Sequence, residues 1–254
     1  MSENANFAIQ LKGIEKTFPS GVHALQDINL QIQESDFVSL LGPSGCGKST
    51  LLRIIASLEK PSRGEVHLHQ SSAPKSRADI SFVFQDPTLL PWRNILRNVA
   101  LPLEIMGMDE KARHLKAREA LNLVGLTEFS AAYPNQLSGG MKMRASIARA
   151  LATEPKLLLL DEPFAALDEI TRMKLDLELR DIWKRIGVTI VFVTHSISEA
   201  LFLSNRSIIL SARPGRIIHD SQSTLPAERT REIRSSNIFN QEVHKLSQIM
   251  EGTR

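Results

Sequence analysis

Leu40-Leu41-Gly42-Pro43-Ser44-Gly45-Cys46-Gly47-Lys48-Ser49-Thr50 is the stretch that decides the fold. From Gly42 to Ser49 it fits the pattern Gly-x-x-x-x-Gly-Lys-[Ser/Thr]. Before it, Phe37-Val38-Ser39-Leu40-Leu41 reads as a buried strand. After it, Leu51, Ile55 and Leu58 recur at i, i+4 and i+7, the apolar face of a helix. Strand, glycine-rich turn and helix together make a phosphate-binding loop. The glycines let the backbone wrap close to a phosphate, and the helix start offers free N–H groups and a positive dipole end. Lys48 can reach the β- and γ-phosphates, and the Ser49 hydroxyl can hold Mg²⁺. The stretch predicts binding of a nucleoside triphosphate.

Working outward, the 254 residues are 42% hydrophobic and 23% charged, enough for a large domain with its own core. The net charge of +3, from 31 basic against 28 acidic residues, is too mild to argue for nucleic acid or anionic lipid. The one cysteine, Cys46, lies inside the phosphate loop as a small loop residue, so no intrachain disulfide can form and a reducing compartment is expected. Met1 to Gln10 lacks a signal pattern, and no run approaches the roughly 18 apolar residues of a membrane span. The expectation is a soluble cytoplasmic polypeptide whose membrane role would come through partners.

Residues 7–33 alternate weakly and read as short strands around a Pro19-Ser20-Gly21 turn, with Phe18 just before it. Gly64 to His69 alternates again, ahead of a polar loop at 70–78. His67 and His69 share a face of that strand but lack a third ligand, and read as solvent-facing. Ile80 to Phe84 is a strand closed by Gln85. From Asp86 to about Pro155 the pattern turns helical. Ala117, Ala120, Leu121 and Val124 mark one helix, stopped by Gly125, and Met143, Ile147, Ala150 and Leu151 another, opened by Ser138-Gly139-Gly140. The α/β pattern resumes with Leu157–Leu160, a helix with apolar face Leu175, Leu179, Ile182 and Ile186, and a strand at Thr189–Val193. Strands separated by helices predict a parallel, doubly wound sheet. The tail from Ser221 is polar and mixed in charge, and predicts a loosely packed helix or two.

Polar residues recur where these strands end, which is where ligands bind in open parallel sheets. Asp161 closes Leu157–Leu160 and suits a Mg²⁺ ligand beside Ser49; Glu162 can polarise an attacking water. His195 follows Val191-Phe192-Val193-Thr194 and is aimed at the γ-phosphate, and the neutral Gln85 amide can bind Mg²⁺ or water. Ser138-Gly139-Gly140 at a helix start is a second anion cradle. One nucleotide already has its loop, so the second cradle suits the nucleotide of another subunit.

With these residues in place, the chain closely resembles the ATP-binding subunits of ABC transporters over essentially residues 7–220. The matching motifs are Walker A (Gly42–Thr50), Q-loop (Gln85), signature (Leu137–Met141), Walker B (Leu157–Asp161) with Glu162, D-loop (Ala166-Leu167-Asp168) and switch His195. The resemblance implies a P-loop NTPase (RecA-like) α/β core with an N-terminal antiparallel β subdomain and an inserted α-helical subdomain. All 254 residues would form one ABC ATPase domain: core at 1–85 and 156–220, helical subdomain at 86–155, tail at 221–254. It implies a head-to-tail dimer of two copies hydrolysing ATP with Mg²⁺ at a shared interface. Gly42, Pro43, Ser44, Gly45, Cys46, Gly47, Lys48, Ser49 and Thr50 would hold the phosphates, and Ser49, Gln85 and Asp161 the metal. Glu162 would be the general base, oriented with the γ-phosphate by His195. Ser138, Gly139 and Gly140 would reach the partner's ATP, Asp168 would cross the interface, and Phe18 would stack on adenine, where the family usually has Tyr. Met141 and Ser196 depart from the usual Gln and Asp.

Asp86 to Asn94, Leu137 to Met141, and Ser211-Ala212-Arg213-Pro214-Gly215-Arg216 look like the nitrate/sulfonate/taurine importer group. That implies an ATPase peripheral to the cytoplasmic side of the inner membrane. Its partners would be separate permease subunits and, indirectly, a solute-binding protein, with no nucleic acid. The alternative is a soluble non-transport ABC ATPase or a regulatory nucleotide switch. One cassette and no heptad run argue against the first of these, and Glu162 against the second. The proline-bounded segment Pro87-Thr88-Leu89-Leu90-Pro91-Trp92 is the expected permease contact.

Overall fold

The computed structural model describes residues 7–68 and 79–252. Residues 1–6, His69 and the polar loop expected at 70–78 lie outside the described residues. The chain divides into two compact units, Met1–Lys75 with Gly187–Arg254, and Ser76–Ile186.

In the first unit, β1 (Phe7–Thr17) pairs antiparallel with β2 (His23–Gln33) and with β4 (Arg63–Leu68), giving the order β2-β1-β4. The strands are longer than their weak alternation suggested, because irregularities in register re-aim the chain along β1. Ile9 meets Ile32, Leu11 meets Leu30 and Ile14 meets Ile28, all buried. A second set of strands centres on β3 (Phe37–Leu41), which pairs in parallel with β7 (Thr189–Val193) and β8 (Arg206–Leu210). Every residue of β3 and β7 is buried, and their near-continuous apolar runs, with Ser39 inside β3 and Thr189 opening β7, suit strands covered on both faces. β9 (Ile217–Gln222) closes β8 antiparallel, an edge strand that alternation alone did not announce. Arg206 pins that edge, with its Nε and Nη2 donating to the Asp220 carboxylate at 2.7 and 2.6 Å.

Helix α1 (Lys48–Ile55) buries Leu51 and Ile55 as expected, but Leu58 is 59% exposed. The helix has already ended: Ser57 takes a left-handed φ of 57°, so i+7 no longer falls on its face. α6 (Ile197–Leu203) packs on β3 and against α7 (Asn237–Glu251). The tail is therefore better anchored than its composition suggested. Phe239 and Leu246, seven apart on one face of α7, are 2% and 1% exposed, and the Arg234 guanidinium lies 4.1 Å from the Phe202 ring centroid. Buried Arg229 donates to the carbonyls of Leu201, Phe202 and Ser204, placing a cation where the last carbonyls of α6 converge.

In the second unit, β5 (Ile80–Val83) runs parallel to β6 (Leu157–Asp161), with Ile80 beside Leu157 and Val83 beside Leu160. Between them in sequence come α2 (Ile95–Ile105), α3 (Glu110–Leu123) and α4 (Gly139–Leu151), the helical insertion expected, and after β6 comes α5 (Glu169–Ile186). Asn94 caps α2 by accepting from Arg97 N–H, and Asp109 caps α3 by accepting from Lys111 and Ala112 N–H. The apolar faces read from sequence are buried in α3 and α4; in α5, Ile186 at the last turn is 42% exposed. No helix among the described residues is long and apolar enough to cross a membrane.

Candidate nucleotide site

The phosphate loop joins the buried end of β3 to the first turn of α1, which has no acidic residue to oppose an incoming anion. Gly47, the residue that opens α1, has φ 106°, a conformation that L side chains rarely adopt. A Cβ there would also lie 2.7 Å from Leu25 Cδ2 and 2.8 Å from the Ala24 carbonyl oxygen, so β2 backs directly onto the loop. Lys48 is 4% exposed, and its ammonium donates to the carbonyls of Gly42 at 2.7 Å and Pro43 at 3.0 Å. It thus folds back inside the arch of its own loop. The arch, the helix start and this cation form an anion cradle built from contiguous residues.

In the same unit, His195 is exposed just beyond β7. The backbone that carries it is held by its neighbours. Thr194 Oγ1 accepts from Ser196 N–H at 3.0 Å and donates to the buried Glu199 carboxylate. Ser196 Oγ accepts from Glu199 N–H at 3.3 Å as the N-cap of α6. Ser and Asp are both good N-caps, which gives a physical reason why Ser196 can stand where the family often has Asp. Phe18 is half-buried, and the Lys16 ammonium sits 5.1 Å from its ring centroid. Lys16 is fixed by donating to Glu59 Oε1 at 2.5 Å and the Lys60 carbonyl at 2.7 Å. That bond holds the Glu59 carboxyl below its ordinary range.

The other candidate residues lie in the second unit. β5 ends at Val83, one residue short of the expected Phe84, and Gln85 follows on the exposed turn. Asp161 is the last residue of β6 and 8% exposed. Glu162 comes next with φ 46°, a left-handed backbone unusual for a non-glycine residue; such outliers persist where surrounding structure imposes them, often at functional sites. Phe164, 1% exposed, anchors the following turn, and Asp168 Oδ1 accepts from Thr171 N–H at 2.9 Å at the start of α5. That bond lowers the Asp168 pKa. Ser138 N-caps α4, its Oγ accepting from Met141 N–H at 3.3 Å, so the hydroxyl keeps its proton for another acceptor. Gly139 and Gly140 pack on the turn before α5 and on its first residues.

Two residues that the sequence reading passed over shape the 87–93 segment. Asn98, fully buried, accepts from Leu90 N–H at 2.7 Å and donates to the carbonyls of Leu90, Arg93 and Asn94. Arg149 donates to the carbonyls of Pro87 and Thr88 at 2.8 and 2.9 Å, and its burial lowers its pKa. Leu89 and Leu90 are consequently half-buried, while Trp92 is 71% exposed.

Among the described residues there is no cluster of three or more His, Cys, Asp or Glu able to hold a metal. Ser49 and Asp161 each carry an oxygen donor of the hard kind that Mg²⁺ takes.

The family model for ABC transporters matches residues 25–165. The chain is 48% identical over 197 residues to the taurine import ATP-binding protein of Rhizobium johnstonii, covering 78% of this chain and 75% of that one. It is 41% identical over 237 residues to the nitrate import ATP-binding protein of Synechocystis, covering 91% and 89%. A solved dimeric ATP-binding cassette in a post-hydrolysis state, bound to ADP and Pi, superposes with a TM-score of 0.73 at 39% identity, over 84% of this chain and 98% of that one. With this match and these relatives, the chain belongs to the ABC transporter family, as an ATP-binding cassette of the P-loop fold.

Proposed function

We propose that this protein is the ATP-binding and hydrolysing subunit of an ABC importer for a small solute of the nitrate, sulfonate or taurine kind. The observation that carries the reading is the phosphate loop, with the Lys48 ammonium held against the Gly42 and Pro43 carbonyls at the start of α1. Lys48, Ser49, Thr50 and the loop backbone bind the triphosphate, and Phe18 stacks on adenine. Ser49, Gln85 and Asp161 would hold Mg²⁺, which would neutralise phosphate charge. Glu162 accepts the proton of the attacking water while the γ-phosphoryl group leaves ADP, and His195 orients the γ-phosphate. Ser138, Gly139, Gly140 and Asp168 serve the ATP of a second copy. Mixing a strand-end acid with a preorganised anion cradle is the general strategy of phosphoryl-transfer sites.

The permease is the partner. An apolar groove of about 430 Å³ in the second unit supports this, lined among others by Phe82, Phe84, Leu101, Pro102, Ile105 and Met106. Ile105 and Met106 are 77% and 54% exposed, an apolar patch that suits a protein interface, as does Trp92. The subunit then works from the cytoplasmic face of the membrane, with a solute-binding protein delivering the cargo.

Glu162→Gln tests the hydrolytic part. It should leave ATP binding intact, trap a dimer with two ATP bound and lower turnover by about 10²–10⁴-fold, the span of general-base catalysis. Undiminished hydrolysis by the purified variant assigns the base elsewhere.

A further inference from the structure

The segment Ser211-Ala212-Arg213-Pro214-Gly215-Arg216, between β8 and β9, has no part in the chemistry above, yet it is built onto the phosphate loop. Arg213 donates from Nε and Nη2 to the Gly45 carbonyl at 3.1 and 2.9 Å. Gly215 lies so close to the loop that a Cβ would fall 2.2 Å from the Cys46 carbonyl oxygen. The segment is itself tied down. Gly215 N–H donates to the Ala24 carbonyl at 3.0 Å, and the Gly215 carbonyl accepts from Gln26 N–H at 3.0 Å. Ser211 Oγ donates to the Ala212 and Pro214 carbonyls and accepts from Arg216 N–H at 3.0 Å, closing the loop on itself. Arg216 Nε adds a bond to Gln26 Oε1.

Gly45 is the residue of the phosphate loop in most need of such a hold. It is exposed, has φ 76°, and lacks a side chain to restrict it. From within the arch, Lys48 donates to the Gly42 and Pro43 carbonyls, and Cys46 N–H donates to the Pro43 carbonyl at 3.3 Å. None of these three bonds reaches the Gly45 carbonyl. Because a peptide unit is planar, anchoring that carbonyl also sets the direction of the Cys46 N–H, which closes the 43–46 turn. Freezing a loop in its binding shape before the ligand arrives raises affinity by removing an ordering cost.

We propose that Arg213 is a positioning residue for triphosphate binding: it latches the 211–216 segment to Gly45 and so preorganises the phosphate loop. The proposal rests on the nucleotide reading, and the loop's only cysteine allows it to be read separately. Cys46 is 1% exposed, its sulfur inside the loop 3.8 Å from the Lys48 ammonium. In the purified full chain without nucleotide, the rate at which DTNB modifies Cys46 reports opening of the loop. Arg213→Ala should raise that rate at least about fivefold and raise the ATP dissociation constant about three- to tenfold, the scale of one charge-assisted hydrogen bond at an exposed site. Turnover at saturating ATP should stay within about twofold. Arg213→Gln, neutral but able to donate an amide N–H to the Gly45 carbonyl, should recover much of both losses. Ser211→Ala, which loosens the segment and leaves Arg213 in place, should move both readouts in the same direction. An unchanged Cys46 rate in Arg213→Ala, or ATP binding restored by Arg213→Lys and not by Gln, overturns the latch in favour of simple charge attraction. Faster Cys46 modification in a chain whose wild type binds no ATP would sustain the latch and overturn the nucleotide reading.

Discussion

Gly140 and Thr171 bring two helices together at their N-terminal ends. A Cβ built on Gly140 would lie 2.7 Å from Thr171 Cγ2, so α4 meets the first turn of α5 with no room for a side chain. The glycine of the signature motif therefore has a packing duty besides any approach to nucleotide. Gly140→Ala should destabilise the protein by about 1–3 kcal/mol, the usual range for overpacking. Thr171→Ser removes the obstructing methyl and should restore most of that stability in urea unfolding. If Gly140 also serves the partner's ATP, hydrolysis will stay low in the rescued double variant. Full recovery of both would leave Gly140 a packing residue alone.

If Ser138, Gly139 and Gly140 serve the ATP of a second copy, hydrolysis depends on association. Ser138 caps α4 and is exposed, so a second molecule can reach it. Specific activity of the isolated subunit should rise with protein concentration more steeply than first order. Mixing Lys48→Ala with Ser138→Arg subunits should leave at most one intact site per heterodimer. A variant of either kind that hydrolyses ATP normally at high dilution contradicts the head-to-tail arrangement.

Asp168 carries two readings that pH can separate. Thr171 N–H bonding to its carboxylate lowers the folded-state pKa. The cap's pH-linked contribution is then present above about pH 4, the ordinary aspartate pKa, and is lost as pH falls through the depressed folded value. Asp168→Asn preserves the cap geometry, so the melting temperature at pH 7 should change little while this acid-dependent component disappears. If Asp168 also crosses the dimer interface, the same variant will lose ATPase activity at pH 7; unchanged turnover confines the residue to capping.

Trp92 stands out from a segment whose backbone is otherwise held by Asn98 and Arg149. Trp92→Ala or Leu89→Asp should weaken association with the permease by about 1–4 kcal/mol, a hot-spot loss, with ATP binding by the free subunit nearly unchanged. Co-purification with the permease measures it. Wild-type assembly and transport by both variants would move the contact to another face, with the groove beside Phe84 and Met106 the next to alter.

What the sequence by itself determined is what is contiguous. The strand, glycine turn and helix of residues 37–55 follow one another along the chain, so their pattern alone announces an anion cradle; so does Ser138 at the start of α4, because a cap bonds its own helix. The buried strands ending at Asp161 and Val193 were legible for the same reason. Tertiary structure decided the rest, where partners are far apart in sequence. Lys16 stands over Phe18 because Glu59 and Lys60 hold it, and the 211–216 segment reaches back to Gly45. Arg229 caps a helix some 25 residues earlier, packing a tail whose composition looked unanchored. Periodicity also overran α1, since it cannot register a backbone that turns left-handed at Ser57. Local propensity and capping are written into neighbouring residues, whereas a long-range hydrogen bond exists only after the chain has folded both partners into place.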